Sequence, residues 1–185
     1  MICRVFKLLK RAAGVLLALA LLGPGLSNGA LAQLSSPVPD GVPGGLPAGS
    51  GPGVHSPYSP FAPLPDRNDV LPWSLLSDVK VQVVNQRVLP VFSATVLALN
   101  NKLQRVQGFM MPLAPGERQT HFLLTSVPLT CSFCTPGGPE SMIEVRTKTP
   151  IKYTLEPVVV EGTLAVLADD GYGLYYRMAD GKAVK

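Results

Sequence analysis

The stretch Val158-Val159-Val160-Glu161-Gly162-Thr163-Leu164-Ala165-Val166-Leu167, followed by Asp169-Asp170-Gly171 and then Tyr172 to Met178, decides the fold. Its first part is the most apolar strand pattern in the chain, and Gly162 sits at its middle. A glycine inside a strand weakens it locally and often marks a bulge or a sharp bend. Asp-Asp-Gly is a hairpin turn signal, so Tyr172–Met178 is expected to return as the last long strand, before Asp180-Gly181 and a short tail.

Working outward, Ser141–Lys148 alternates cleanly, with Ile143, Val145 and Thr147 on one face and Glu144, Arg146 and Lys148 on the other. That period of two is what a sheet half exposed to water requires. Lys80–Val84, Val88–Leu99, Lys102–Met110 and His121–Val127 complete the strand set, although Ala94–Asn101 also reads as helical. Pro115-Gly116 supplies the central pair of a type II turn. Trp73–Ser77 is expected to form a helical turn that packs Trp73 and Leu76. Five or six strands in one compact core of 113 residues, Trp73–Lys185, point to a mainly β, small Greek-key (OB-like) barrel.

The amino end is of another kind. Arg4, Lys7, Lys10 and Arg11 precede the apolar run Ala12–Leu22, then Gly23-Pro24-Gly25 and the small-x-small site Ala30-Leu31-Ala32. Eleven apolar residues make a helix of about 16 Å, too short for a hydrocarbon core of about 30 Å. Residues 1–32 therefore read as a Sec-type signal peptide cleaved after Ala32, which places the mature protein in the periplasm with no membrane span. Cys3 precedes the apolar run, so it is no lipoprotein acceptor. Residues 33–72 hold ten prolines among 40 residues and read as a disordered Pro/Gly-rich linker.

The full chain has 16 Lys and Arg against 12 Asp and Glu; four of the bases and none of the acids lie in residues 1–32. The mature protein is thus formally neutral, which removes the electrostatic reason for nucleic-acid binding. With two histidines in the chain and no nucleophile, phosphate-loop or His-Glu-x-x-His motif, no enzyme class is indicated.

One constellation carries chemistry: Leu129-Thr130-Cys131-Ser132-Phe133-Cys134-Thr135-Pro136-Gly137-Gly138-Pro139-Glu140. Two cysteines three positions apart can aim both sulfurs at one point, for a metal, a disulfide or redox exchange. Pro136-Gly137-Gly138-Pro139 blocks the helix that a thioredoxin-like dithiol needs after its second cysteine. Cys131 and Cys134 with His121 and Glu140 would make a chemically acceptable set for Zn2+, and two thiolates also suit Cu+. His121 lies ten residues from Cys131, about 30 Å along a straight strand, so the chain would have to fold back for it to join. The competing expectation is a local disulfide stapling an interaction module of an envelope or transporter assembly.

Gly108-Phe109-Met110-Met111-Pro112-Leu113, His121-Phe122-Leu123-Leu124 and the Cys131 loop with its Pro-Gly-Gly-Pro resemble exported bacterial proteins grouped as domain of unknown function 3299 (DUF3299). The likeness runs over roughly residues 80–180. It implies an exported small β domain, in some members linked to transition-metal handling, zinc above all. The leading expectation is thus a periplasmic accessory in metal supply or delivery that binds Zn2+ or Cu+ through Cys131 and Cys134, with an envelope or metal-transporter protein as partner. Where many members carry Cys-x-His before a proline run, this chain has Cys131-Ser132-Phe133-Cys134. The resemblance brings no catalytic activity with it.

Overall fold

The structure, a computed structural model, describes residues 50–185. Residues 1–32, read above as a signal peptide, and residues 33–49 of the proline-rich stretch lie outside the described residues. Among the described residues, no helix is long and apolar enough to cross a membrane.

Two short strands, β1 (Val79–Val84) and β2 (Arg87–Phe92), form a hairpin in register from Val79↔Phe92 to Val84↔Arg87. Asn85 and Gln86 turn it with φ of 50° and 63°, the paired positive values of a type I′ turn. The other five strands are β3 (Lys102–Pro112), β4 (Arg118–Thr125), β5 (Met142–Lys152), β6 (Val158–Val166) and β7 (Tyr176–Val184). They close a barrel in the order β3-β4-β5-β7-β6. Every pairing is antiparallel except β5 with β7. β6 thus returns to β3, and β7 fills the gap between β6 and β5. This is the connectivity of an OB-like Greek-key barrel.

Inward residues fill the interior. Val106, Phe122, Leu124, Ile143, Val145, Val160, Leu164, Tyr176 and Met178 are buried, and the short helix α1 (Trp73–Leu76) adds Trp73 and Leu76. The Trp73 indole N–H donates to the Gln107 carbonyl at 2.8 Å, and the Tyr176 hydroxyl donates to the Leu76 carbonyl. These bonds satisfy the polar ends of two side chains buried for their apolar bodies. The hairpin joins the core through Phe92, whose ring centroid lies 5.9 Å from that of Tyr175 and 5.8 Å from that of Tyr176.

Three expectations need correcting. The strand expected over Val88–Leu99 ends at Phe92, because the Ser93 hydroxyl accepts the Val96 N–H and caps a helical turn, α2 (Ala94–Leu97). The last strand begins at Tyr176 rather than Tyr172, since the Asp170 carboxylate accepts the Tyr172 and Leu174 N–H groups and holds that stretch as a loop. It also runs through Asp180-Gly181 to Val184. Finally, the proline-rich stretch is no free linker from residue 50 onward: the Leu71 N–H donates to the Arg105 carbonyl at 2.8 Å, and Leu64 and Leu71 pack on the core.

The bend at Gly162 is as the sequence anticipates. Glu161 pairs with Lys182 and Thr163 with Ala179, so Asp180 and Gly181 together oppose Gly162, a β-bulge. A Cβ on Gly162 would lie 2.7 Å from both the Ala179 carbonyl oxygen and Met178 Cγ. Gly162→Ala should therefore cost about 1–3 kcal/mol. Gly171→Ala, whose Cβ would meet nothing within 4 Å, should stay within about 0.5 kcal/mol. Urea midpoints of the two variants check this; equal midpoints would contradict it.

Candidate functional site

The loop 126–141 joins β4 to β5 and contains both cysteines. Cys131 and Cys134 form a disulfide with their Cα atoms 5.4 Å apart. The bridge is buried with Val127 and Phe61, and the Ser59 hydroxyl lies 3.3 Å from Cys131 Sγ. Residues 50–61 run across this loop as a strap. Val54 and Thr135 exchange both backbone hydrogen bonds, at 2.8 and 2.9 Å, and the Ser126 hydroxyl donates to the Pro52 carbonyl. A Cβ on Gly137 would stand 2.1 Å from the Gly51 carbonyl oxygen, so only glycine lets the strap sit this close.

The four residues considered as metal ligands are not brought together. The two sulfurs bond to each other. The Glu140 carboxylate accepts the Gly51 N–H and anchors the strap. His121 lies on β4 with its Nε2 2.8 Å from Glu144 Oε1. Among the described residues, no group of three or more His, Cys, Asp or Glu side chains could hold a metal. Reduction of the bridge would supply two of the four donors that a tetrahedral zinc site takes, so this arrangement does not fit one. After Cys134 the chain makes a single 3-10 turn, Pro139–Ser141, as the Pro-Gly-Gly-Pro run anticipates.

His121 instead belongs to a second site, on the outer face of β4 and β5. In register, Glu144 stands opposite Leu123 on one side and Arg177 on the other, and His121 stands opposite Arg146. The Glu144 carboxylate, with its side chain only 6% exposed, accepts from the Arg146 guanidinium at 2.7 and 3.1 Å and from Arg177 Nε. Arg177 also reaches Asp170 at 3.2 Å, the residue that organises the 167–175 loop. Arg87, at the hairpin tip, ties Asp169 of the same loop at 2.9 Å. Loop and strands thus surround a cavity of about 340 Å3 lined by Leu113, His121, Leu123, Glu144, Arg146, Tyr172 and Leu174.

Strand alternation assigns Glu144 to the solvent face, and that face it occupies, yet it is buried there by its own partners. His121, Arg146 and Arg177 belong to three different strands, so no spacing within one segment reveals that they meet. Of Tyr172, Tyr175 and Tyr176, Tyr172 lines this cavity and is 91% exposed, whereas Tyr175 and Tyr176 are core. A larger groove of about 520 Å3 lies by Ala62–Arg67 and the last residues. Its arginine, Arg67, is already engaged by Asp69 at 2.8 Å, and it offers no comparable converging set of side chains.

Desolvation pushes the Glu144 pKa up, but hydrogen bonds from Arg177, Arg146 and His121 outweigh it and hold the carboxyl at about 2, against an ordinary 4.5. Asp170 is likewise lowered, first by the Tyr172 N–H. A lowered carboxyl pKa adds stability that is complete above the unfolded-state value and lost as pH falls through the folded one. Wild-type stability should therefore decline from about pH 5 toward pH 2, with Glu144 accounting for up to about 3 kcal/mol. Glu144→Gln should be less stable at pH 7 and show a flatter acid limb. Chemical denaturation between pH 7 and 2 checks this, and superimposable limbs would refute it.

The crystal structure of a DUF3299 family protein from Pseudomonas aeruginosa PAO1 is 23% identical, covers 71% of this chain and 91% of that chain, and gives a TM-score of 0.38. No curated protein matches the chain. The family model described as "Protein of unknown function (DUF3299)" matches residues 77–178, from just before β1 into β7. The chain belongs to the DUF3299 family.

Proposed function

We propose that this protein is an exported, non-catalytic binding module that takes its ligand on the β4–β5 face of the barrel. The observation that carries the reading is the cavity of about 340 Å3, walled by two strands and by the 113–117 and 167–175 loops. In five-stranded Greek-key barrels the face of the second and third strands, with these two loops, is where ligands sit. Fold alone does not assign a function; the side chains favour this face. Leu113, Leu123, Leu174 and Tyr172 supply apolar area, and the Glu144 network fixes the polar groups before any ligand arrives, so that less ordering entropy is lost on binding.

Export is supported by the cationic, apolar and small-x-small pattern of residues 1–32 and by the Cys131–Cys134 disulfide, which suits an oxidising compartment. In this reading the disulfide is structural. It staples the loop at one end of β4 and β5, while the 113–117 turn lies at the other end of β4.

A screen of small-molecule fragments against the 15N-labelled protein tests the assignment. Amide shifts should cluster at Leu113, His121, Leu123, Arg146, Tyr172 and Leu174. Hits that concentrate on the groove by Ala62–Arg67, or a screen with no hits, would reject it.

A further inference from the structure

We propose that the cavity on the β4–β5 face takes a small organic monocarboxylate, its carboxylate on Arg146 and its apolar body against Leu123, Leu174 and the ring of Tyr172. This inference rests on the reading of that face as a ligand site and specifies the ligand class.

What the cavity offers to a newcomer follows from which polar groups are already committed. Glu144 is not available: Oε1 accepts from His121 and twice from Arg146, and Oε2 accepts from Arg177. Arg146 is available. Its side chain is 61% exposed, only its Nε and Nη2 are directed at Glu144, and among the described residues its Nη1 has no hydrogen-bond partner. The uncommitted charged group that the site presents is therefore a guanidinium donor, so the complementary ligand group is an acceptor, and a charged one gains most.

The charge of that group is limited to one. Arg146 is the one arginine or lysine among the lining residues. Arg177, behind it, is shared between Glu144 and Asp170. Glu144 stays ionised beside the site, and a dianion such as a phosphate monoester would meet its charge with no second free cation in compensation. Apart from His121, whose Nε2 is held by Glu144, the remainder of the lining is largely apolar: three leucines and an exposed tyrosine ring. A volume of about 340 Å3 lies at the small end of ligand sites, which span roughly 300–1,000 Å3. The body is therefore compact, an aromatic or short branched group rather than a polymer segment.

Titration of the purified full-length chain with 4-phenylbutyrate and, in parallel, its neutral analogue 4-phenylbutan-1-ol separates the contributions, followed by calorimetry and by amide shifts. The acid should bind saturably with shifts at Leu123, Tyr172 and Leu174, and the alcohol about ten-fold more weakly. Arg146→Gln should bring the acid down to the level of the alcohol and leave the alcohol unchanged. Tyr172→Ala alters a residue that is 91% exposed and should weaken both probes without affecting folding. Equal binding of acid and alcohol, or an acid indifferent to Arg146→Gln, would overturn the carboxylate assignment while leaving the face a ligand site. Absence of shifts on this face with either probe would overturn the inference itself, and the ligand-site reading falls with it only if the fragment screen also places no hits on this face.

Discussion

The outer face of the barrel is organised around one buried carboxylate. Glu144 points away from the apolar interior, yet its side chain is almost fully covered, because Arg146 on its own strand, His121 on β4 and Arg177 on β7 converge on it. An ionised group deprived of water is costly unless it is paired and hydrogen-bonded, and here every partner comes from the wall of the barrel. The same arrangement reaches the loop through Arg177 and Asp170. Asp170 in turn fixes the Tyr172 and Leu174 backbone. A single charge thus links three strands to the loop that walls the cavity.

The cysteine loop serves a different end. A disulfide across four residues removes little entropy from the unfolded chain, so its contribution here is local. It forms the buried patch with Val127 on which Phe61 rests, and the strap 50–61 lies over that patch. Glu140 and Ser126 complete the attachment through backbone groups of Gly51 and Pro52. The feature that looks most chemical in the sequence is therefore, in the structure, a fastening between the proline-rich segment and the barrel.

Much of the barrel is legible from period and punctuation. The alternation of Ile143 and Val145 with Glu144 and Arg146 gives the correct inward and outward faces of β5. Gly162 marks the bulge because a side chain there would strike the Ala179 backbone. The errors arise where a side chain competes locally with the strand: Ser93 caps a helical turn and Asp170 gathers a loop, each by accepting backbone N–H groups that a ladder would otherwise use. The candidate site is the least legible part. His121 stands out in the sequence as a candidate metal ligand, but in the structure its partner is Glu144 rather than a sulfur, and that pairing depends on cross-strand register. Proline content suggests a free linker up to Pro72, and nothing in composition reveals that Gly51 and Gly53 fit against Gly137.

The central claim is that the Glu144–Arg177–Asp170 chain of charges holds the 167–175 loop against the β4–β5 face. Amide hydrogen exchange at Tyr172 and Leu174 in wild type and in Arg177→Met measures it most directly. Protection at these two amides should fall about ten-fold in the variant relative to the β3–β6 ladder. Unchanged protection at Tyr172 and Leu174 would mean that the loop is positioned by something else, and the account of the site would be wrong.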